Sequence, residues 1–332
     1  MRANISDRLL QHYVDKSRSL AWRSPPGSPP PEPYRVWLSE VMLQQTTVAA
    51  VTPRFERFFA RWPSVEALAA AADEEVLSEW AGLGYYARAR NLIACAREVA
   101  ARGGFPTTET ELRELPGIGD YTAAAIAAIA FGRAAVVIDS NVERVTARLN
   151  GLERPSKSQL RQAVAAMTPA RSAGDFAQAM MDLGATICRP RAPLCGECPL
   201  SGSCAAFASG TPELFPSPRA RVQKPVRHGI AHWVERDGAV WLVRRPPSGL
   251  LGAMPALPGG EWTSDKRPAG AVLGRVRHVF THFALELDIV ASNDAPAGGW
   301  WQAIATLDGA GLPTLYRHAV NAVLGSRGRL AA

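Results

Sequence analysis

The sequence of 332 residues contains no long hydrophobic run. No uninterrupted apolar stretch approaches the roughly 20 residues that a membrane-spanning helix needs. The first residues, 1–7, also lack the apolar segment of a secretory signal peptide. Hydrophobic residues nevertheless make up 47% of the chain, which is enough to build large cores. We therefore expect a folded protein of two or three domains without a membrane partner, located in the cytoplasm, or at the nucleoid of a prokaryote.

Lysine is scarce, although the chain is basic. Only four of the 37 basic residues are lysines, and the formal net charge is +7. Residues 211–332 hold 14 basic and 9 acidic side chains, whereas residues 1–210 are almost balanced. An arginine bias from a GC-rich genome and an anionic partner such as nucleic acid both fit this composition. Charge alone does not separate the two explanations.

The pattern of apolar residues predicts a helical part followed by a smaller part with strands. From residue 34 to about 207, apolar positions recur every three or four residues, as in helices. Six prolines within residues 24–33 predict an extended spacer before this part, and a basic, proline-rich linker follows at 209–227. After the linker we expect strands at 228–235, 239–245 and 278–290 and a helix at 315–324.

Four of the five cysteines lie within 17 residues, at Cys188, Cys195, Cys198 and Cys204. Disulfide frameworks are spread along small secreted chains, so this cluster predicts a metal site in a reducing compartment. Thiolate ligands suit zinc or an iron–sulfur cluster. Structural zinc sites usually contain two Cys-x2-Cys pairs. The single pair here, flanked by gaps of six and five residues, favours one [4Fe–4S] cluster.

The segment Leu115-Pro-Gly-Ile-Gly119 lies between helical patterns at 109–115 and 120–131. Glycine permits a tight turn, and backbone amides at the start of the following helix can bind an anion. This is the pattern of a helix–hairpin–helix motif, which contacts a DNA phosphate without reading the base sequence. An ordinary Pro-Gly turn is the alternative.

Two carboxylates are candidates for chemistry. Glu40 lies on a predicted helix among mostly apolar neighbours, where a desolvated glutamate has a raised pKa and can donate a proton. Asp139 follows the apolar run Val136-Val-Ile and opens a helix. The alternatives are an exposed surface glutamate for Glu40 and a plain helix N-cap for Asp139.

Several of these segments together resemble the MutY-type adenine DNA glycosylases of the helix–hairpin–helix superfamily. The resemblance spans about residues 6–207, with the blocks in the same order. The segments that carry it are Trp37-Leu-Ser-Glu-Val-Met-Leu-Gln-Gln-Thr, Gly82-Leu-Gly-Tyr-Tyr-Ala-Arg-Ala-Arg-Asn-Leu, Leu115-Pro-Gly-Ile-Gly, the Asp139 segment, Met180-Met-Asp-Leu-Gly-Ala and the four-cysteine loop.

The resemblance implies a mainly α-helical, two-lobed DNA glycosylase followed by a smaller α+β Nudix-like domain. Residues 34–135 would form a six-helix barrel lobe that contains the helix–hairpin–helix. Residues 1–33 and 136–208 would form the iron–sulfur cluster lobe. After the linker at 209–227, residues 228–332 would recognise the lesion. The implied function is base excision repair by a monomer that removes adenine mispaired with 8-oxoguanine or guanine in double-stranded DNA.

Roles for individual residues follow from the same resemblance. Glu40 matches the general acid that protonates adenine N7, and Asp139 matches the carboxylate that stabilises the oxocarbenium ion. Tyr121 occupies a catalytic position at which the endonuclease III branch has a Schiff-base lysine. A phenol cannot form an imine, so a monofunctional glycosylase is expected. The implied adenine-pocket and DNA-contacting residues are Arg18, Trp22 and Gln178, Gln45 and Tyr85, and the hairpin residues Leu115, Gly117 and Gly119.

The C-terminal part resembles the MutT-like (Nudix-like) domain of this family through residues 244–260 and the strand at 278–290. The glutamate-rich helix that binds magnesium in true Nudix hydrolases is missing, which argues against hydrolase activity. The family's Phe-Ser-His turn is Phe280-Thr281-His282 here, so Thr281 and His282 are the expected lesion contacts. Two rival interpretations are an endonuclease III-like bifunctional glycosylase/lyase and a non-catalytic iron–sulfur DNA-binding protein.

Overall fold

The computed structural model of the chain describes residues 3–217, 223–246, 249–265 and 270–330. These residues form two compact units. The helical unit contains Met1–Ala71 and Asn91–Ala220, and the mixed unit contains Ala72–Arg90 and Arg221–Ala332. Within the described ranges, no helix is both long and apolar enough to cross a membrane. Residues 218–222 of the predicted linker, and residues 247–248 and 266–269 of the predicted Nudix-like domain, lie outside the described residues.

Residues 3–208 are mostly helical, as the spacing of apolar residues predicts. Helix α5 and the first residues of α6 belong to the mixed unit, and the remaining helices up to α12 belong to the helical unit. The helices are α1 (Ala3–Lys16), α2 (Pro33–Leu43), α3 (Val48–Arg61), α4 (Val65–Ala69), α5 (Asp73–Glu79), α6 (Ala87–Arg102), α7 (Glu109–Leu112), α8 (Asp120–Ile129), α9 (Ser140–Asn150), α10 (Lys157–Met167), α11 (Ala173–Thr186) and α12 (Ala205–Ala208).

Local sequence determines where many of these helices begin. Thr47, Ser64 and Thr108 each accept a hydrogen bond from a backbone N–H in the first turn of the helix that follows. Ser156 and Gln159 form a complete capping box at the start of α10. Pro33, at the end of the proline-rich spacer, lies in the first turn of α2. A backbone N–H in this turn has no acceptor within the helix, so proline costs no hydrogen bond here. These side chains satisfy N–H groups that the helices themselves leave unpaired.

Helix α8 is the centre of the helical unit. It is rich in alanine, and every side chain from Thr122 to Ile129 is buried. Small side chains let α2 and α11 pack closely against it, and α11 also packs against α1 and α9. At Gly174 of α11, an added Cβ atom would lie 2.6 Å from the carbonyl oxygen of Ala128. The close approach of α11 to α8 therefore requires glycine at this position.

The mixed unit is built on two small sheets and a closing helix. The first sheet has the order β1–β6–β5, with β1 (Val226–Trp233) parallel to β6 (Ala284–Ala291) and β5 (Val272–Val279) antiparallel to β6. Helix α13 (Thr314–Leu330) packs on β5 and extends the predicted helix at 315–324. The second sheet contains β2 (Glu235–Arg236), β3 (Ala239–Arg244), β4 (Pro255–Ala256) and β7 (Gly299–Ala303).

The prediction of one strand over residues 278–290 is wrong. The chain instead turns at residues 280–283, where the N–H of Phe280 donates to the carbonyl of Phe283 over 2.8 Å. The rings of Phe280 and Phe283 pack together within this turn, with centroids 5.0 Å apart. Between β2 and β3 the chain turns at Asp237 and Gly238, which are both at positive φ.

Gly174 of α11 and Gly325 of α13 give opposite expectations for substitution by alanine. Gly174→Ala places a methyl group against the backbone of α8, so we expect a loss of about 1–3 kcal/mol in the free energy of unfolding. Gly325→Ala meets open space and should be neutral or stabilise α13 by up to about 1 kcal/mol. Urea unfolding followed by circular dichroism measures both. Equal effects at the two positions would contradict the packing argument.

Candidate functional site

A cleft of about 950 Å³ in the helical unit contains most of the candidate residues. Its walls come from α2, α8, α11, the segment between α1 and α2, and the residues that precede α9. The structure therefore brings together residues that are more than 160 positions apart in the chain. The predicted site residues that line this cleft are Arg18, Trp22, Glu40, Gln45, Gly117, Gly119, Tyr121, Asp139 and Gln178.

Glu40 is buried at the wall of this cleft, with 6% of its surface exposed. Burial raises the pKa of its carboxyl group to about 7, and the negative charge of Asp139 acts in the same direction. A hydrogen bond from Tyr121 and the positive charge of Arg23 oppose this shift. The alternative of an exposed surface glutamate is therefore wrong. A carboxyl group with this pKa is available as a proton donor near neutral pH.

Tyr121 is the hydrogen-bond partner of Glu40. Its hydroxyl donates to Oε2 of Glu40 over 2.7 Å. Burial raises the pKa of Tyr121 well above its ordinary value, with the charges of Glu40 and Asp139 adding to the effect. The phenol thus stays protonated and serves as a fixed donor. Tyr121 lies in the first turn of α8, so the packing of that helix sets its position.

Asp139 is both the N-cap of α9 and part of the cleft wall. Its Oδ1 accepts from the backbone N–H of Val142 over 2.7 Å, and its Oδ2 accepts from Nδ2 of Asn141 over 2.9 Å. The N-cap interpretation is therefore correct as geometry and does not exclude a role in the cleft. Two hydrogen bonds from its own helix keep the carboxylate in one orientation.

A buried ion-pair network, which the sequence did not predict, lies beside the cleft. Asp182 of α11 accepts from Nε of Arg18 over 2.6 Å and from a guanidinium nitrogen of Arg23 over 2.8 Å. The side chains of Asp182 and Arg23 are 9% and 7% exposed. Through this network, the segment that follows α1 is held against α11. In the sequence, Asp182 was noted only as part of the segment Met180-Met-Asp-Leu-Gly-Ala, which resembles the family.

Gln45 and Tyr85, both predicted to contact DNA, share an unusual backbone conformation. Their φ angles are 56° and 50°, in the left-handed region that non-glycine residues rarely adopt. Such conformations are retained where the surrounding structure enforces them, often at functional positions. Gln45 lines the cleft of the helical unit. Tyr85 belongs to the mixed unit and is 48% exposed.

Within the mixed unit, Tyr85 lies next to the turn at residues 280–283. The hydroxyl groups of Thr281 and Tyr85 are 3.3 Å apart, with Thr281 donating. His282 is exposed in the same turn. Two candidates separated by 196 positions in the sequence are thus neighbours in space. The insertion of Ala72–Arg90 into the mixed unit makes this contact possible.

The predicted hairpin lies between α7 and α8. Leu115 is buried, and Gly117 has a φ of 76°, where a Cβ atom would lie 2.7 Å from Cβ of Asn91. Gly119 is the N-cap of α8 and supplies no side-chain hydrogen bond to the first turn. Amides at such a helix end favour an anion. Phosphate binding by this hairpin stays a prediction.

The four clustered cysteines line one small pocket, and Cys95 is buried elsewhere. Arg148 of α9 joins the pocket, with one guanidinium nitrogen 3.4 Å from Sγ of Cys188. Burial raises the pKa of the Cys198 thiol to about 11. Among the described residues, no three His, Cys, Asp or Glu side chains are gathered closely enough to hold a metal ion.

Helix α9 connects the cysteine loop to the cleft. Arg144 donates to Oδ1 of Asn141 over 2.9 Å and to the carbonyl oxygen of Cys188 over 2.8 Å. Arg148 donates to the carbonyl oxygens of Arg189 and Pro190. Since Asn141 also donates to Asp139, hydrogen bonds run without a break from the loop to the carboxylate.

Comparisons with known families agree with the division into a helical part and a mixed part. Residues 38–170 match the family described as HhH-GPD superfamily base excision DNA repair protein. Residues 230–322 match the NUDIX domain family.

Individual proteins extend the similarity over most of the chain. The adenine DNA glycosylase of Mus musculus is 34% identical over 88% of this chain and 72% of the mouse protein. The adenine DNA glycosylase of Homo sapiens is 36% identical over 85% of this chain and 65% of the human protein, so the chain spans slightly less than two thirds of that relative. A solved thermostable thymine-DNA glycosylase has a TM-score of 0.57 and 28% identity, covering 63% of this chain and 97% of its own.

The raised pKa of Glu40 makes a prediction about stability. The folded protein holds this proton up to about pH 7, whereas the unfolded chain releases it near 4.5. Because the folded state then binds more protons, the contribution of Glu40 to stability is fully present below pH 4.5 and is lost as pH rises to 7. Relative to Glu40→Gln, we expect the wild-type unfolding free energy to fall by about 3 kcal/mol across this interval.

Urea unfolding of both proteins at pH 5 and pH 8 measures this difference. Glu74→Gln, which changes an exposed glutamate, is the matched control and should leave the pH dependence of the wild type unchanged. A wild type and a Glu40→Gln variant with parallel pH profiles would show that Glu40 titrates normally.

Proposed function

The chain belongs to the adenine DNA glycosylase family, and we propose that it is a monofunctional glycosylase that removes adenine mispaired with 8-oxoguanine or guanine. Membership confirms the predicted resemblance and the predicted fold class, a helical glycosylase part followed by a Nudix-like domain. Enzymes of this family are DNA N-glycosylases of base excision repair. Double-stranded DNA is therefore the macromolecular substrate, and the identity of the mispair and action as a monomer are parts of the proposal.

The observation that carries the proposal is the presence of Glu40, Tyr121 and Asp139 in one cleft. Adenine is a poor leaving group unless it departs as a neutral base, so an acid has to protonate it. Glu40 has a pKa of about 7 and lies at the cleft wall, which suits a proton donor to N7 of adenine. General acid catalysis of this kind contributes about 10²–10⁴-fold to the rate.

Asp139 suits the second half of the reaction. As the C1′–N9 bond breaks, its electron pair leaves with the protonated base, and positive charge develops on the deoxyribose. A carboxylate held by two hydrogen bonds can stabilise that charge without reorganising. Water then adds to C1′ and loses a proton, which completes hydrolysis. The division of labour between two carboxyl groups is that of glycoside hydrolysis.

The residues around the cleft favour a monofunctional enzyme. A lyase of the endonuclease III type needs an amine to form a Schiff base with the sugar. Position 121 is tyrosine, and none of the residues that line the cleft is lysine. A non-catalytic DNA-binding protein would gain nothing from burying Glu40 with a raised pKa beside Asp139. Both rival functions are therefore less well supported.

Contacts with DNA are assigned within each unit. The hairpin residues Leu115, Gly117 and Gly119 would hold a backbone phosphate through the amides at the start of α8. Flipping the target base into the cleft would bring adenine to Arg18, Trp22 and Gln178, with Gln45 entering the space left in the duplex. In the mixed unit, Tyr85, Thr281 and His282 would contact the opposite strand at the lesion.

The four-cysteine loop fits a [4Fe–4S] cluster. The side chains of Cys188, Cys195, Cys198 and Cys204 line one pocket, and four thiolates are the ligand set that such a cluster takes. The buried guanidinium group of Arg148 offers positive charge beside thiolate ligands. When bound, a cluster would hold the 188–204 loop in its folded form.

The proposed activity is tested with duplexes that contain A:8-oxoG, A:G or thymine glycol, with and without alkali after the reaction. We expect the wild type to release adenine from the first two, with strand breaks only after alkali. Glu40→Gln should bind A:8-oxoG DNA with an affinity within a few-fold of the wild type and lose about 10²–10⁴-fold in single-turnover rate. The rate of the wild type should fall as pH rises above about 7, since Glu40 must be protonated.

Glu74→Gln again serves as the matched control and should excise adenine at the wild-type rate. Strand breaks without alkali, or cleavage at thymine glycol, would favour the endonuclease III-like alternative. Substantial turnover by Glu40→Gln would show that Glu40 is not the acid.

The cluster assignment predicts about four iron atoms per protein and broad absorption near 400 nm. Cys198→Ser should lower the iron content and weaken DNA binding, because the loop loses a ligand. Cys95→Ser, which changes the buried cysteine outside the loop, is the control and should keep the iron. Stoichiometric zinc without iron in elemental analysis would contradict the assignment.

A further inference from the structure

The turn at residues 280–283 is held in place by a residue of the linker. The ammonium group of Lys224 donates to the carbonyl oxygen of Phe280 over 2.8 Å. The next residue, Pro225, accepts from the N–H of Ala284 over 2.9 Å. The end of the linker thus runs alongside the turn and hydrogen bonds to residues near both of its ends.

Aromatic packing supports the turn from another direction. The ring of Trp262 stacks on Phe280, with centroids 5.5 Å apart and an angle of 24° between the planes. His278 contacts the same ring edge-on, with centroids 4.6 Å apart. The guanidinium group of Arg245 lies 4.7 Å above the ring of Trp262. These contacts fix the side chain of Phe280, while Lys224 holds its carbonyl group.

The carbonyl group of Phe280 belongs to the peptide bond that joins it to Thr281. The peptide unit is planar, so a hydrogen bond to that oxygen holds the whole plane in one orientation. The direction in which the Thr281 side chain leaves the backbone is restricted with it. The Thr281 hydroxyl meets Tyr85, whose backbone is itself held in the left-handed region. The orientation of Thr281 is therefore constrained on one side by Lys224 and on the other by Tyr85.

We propose that Lys224 is a positioning residue for the turn that contacts the lesion, so that the preference for 8-oxoguanine over guanine depends on it. This inference rests on the proposed function. Lys224 directs its charge at a carbonyl oxygen of the protein and acts through Thr281. Its effect therefore falls on discrimination between the two opposite bases, whereas a contact to a DNA phosphate would strengthen binding to all sequences.

The test compares Lys224→Met, which removes the donor, with Lys224→Arg, which keeps one. Lys157→Met is the matched control, because it removes the same charge from an exposed lysine in the helical unit. Single-turnover rates and affinities are measured for A:8-oxoG and A:G duplexes over a range of salt concentrations. We expect Lys224→Met to lower the A:8-oxoG to A:G preference by about 3- to 10-fold, the effect of one hydrogen bond. Lys224→Arg should restore most of the preference, and Lys157→Met should keep it.

The salt dependence separates positioning from direct contact with DNA. If Lys224 positions the turn, the slope of log affinity against log salt should match the wild type in Lys224→Met. An unchanged preference, with or without a shallower slope, would overturn the inference while leaving the proposed function intact. A wild type that excises adenine equally well opposite 8-oxoguanine and guanine would overturn the inference alone, and a wild type that excises adenine from neither duplex would overturn both.

Discussion

The proposed chemistry depends on the burial of one carboxyl group. Glu40 sits in α2 among buried apolar side chains, and water is therefore largely kept from it. The hydrogen bond from Tyr121 satisfies one oxygen without supplying a positive charge, and so leaves the pKa near 7. The small side chains of α8 bring Tyr121 close enough to make that bond. The packing of the helical unit thus determines the acidity of its central residue.

Asp139 combines an observed structural role, the cap of α9, with the chemical role that we propose for it. Capping α9 fixes the direction of its carboxylate, and the same helix carries the two arginines that hold the cysteine loop. A change in the cysteine loop would first displace Arg144 and Asn141, because their hydrogen bonds join the loop to the carboxylate of Asp139. Helix α9 therefore connects the cysteine loop to the carboxylate that we propose stabilises the developing charge.

Local sequence was sufficient to predict the helical character of residues 34–207 and the change of character near residue 210. The grouping of Glu40, Tyr121 and Asp139 came from the resemblance to a known family, since nothing in local spacing joins three residues so far apart. The pairing of Asp182 with Arg23 was not predicted, because an ion pair between α11 and a distant loop is a tertiary property. The break at residues 280–283 was missed because the alternation of Val279, Phe283, Leu285, Leu287 and Ile289 runs across the turn in the sequence.

The assignment of residues 72–90 to the mixed unit has a consequence for how the chain acquires its structure. This unit draws one segment from the first third of the chain and the rest from residues beyond 220. During synthesis, the early segment must wait until more than 130 further residues have been made before its partners exist. Contacts so distant in sequence slow folding, because a long loop has to close before they form. The surface that brings Tyr85 to Thr281 is therefore among the last parts of the protein to be assembled.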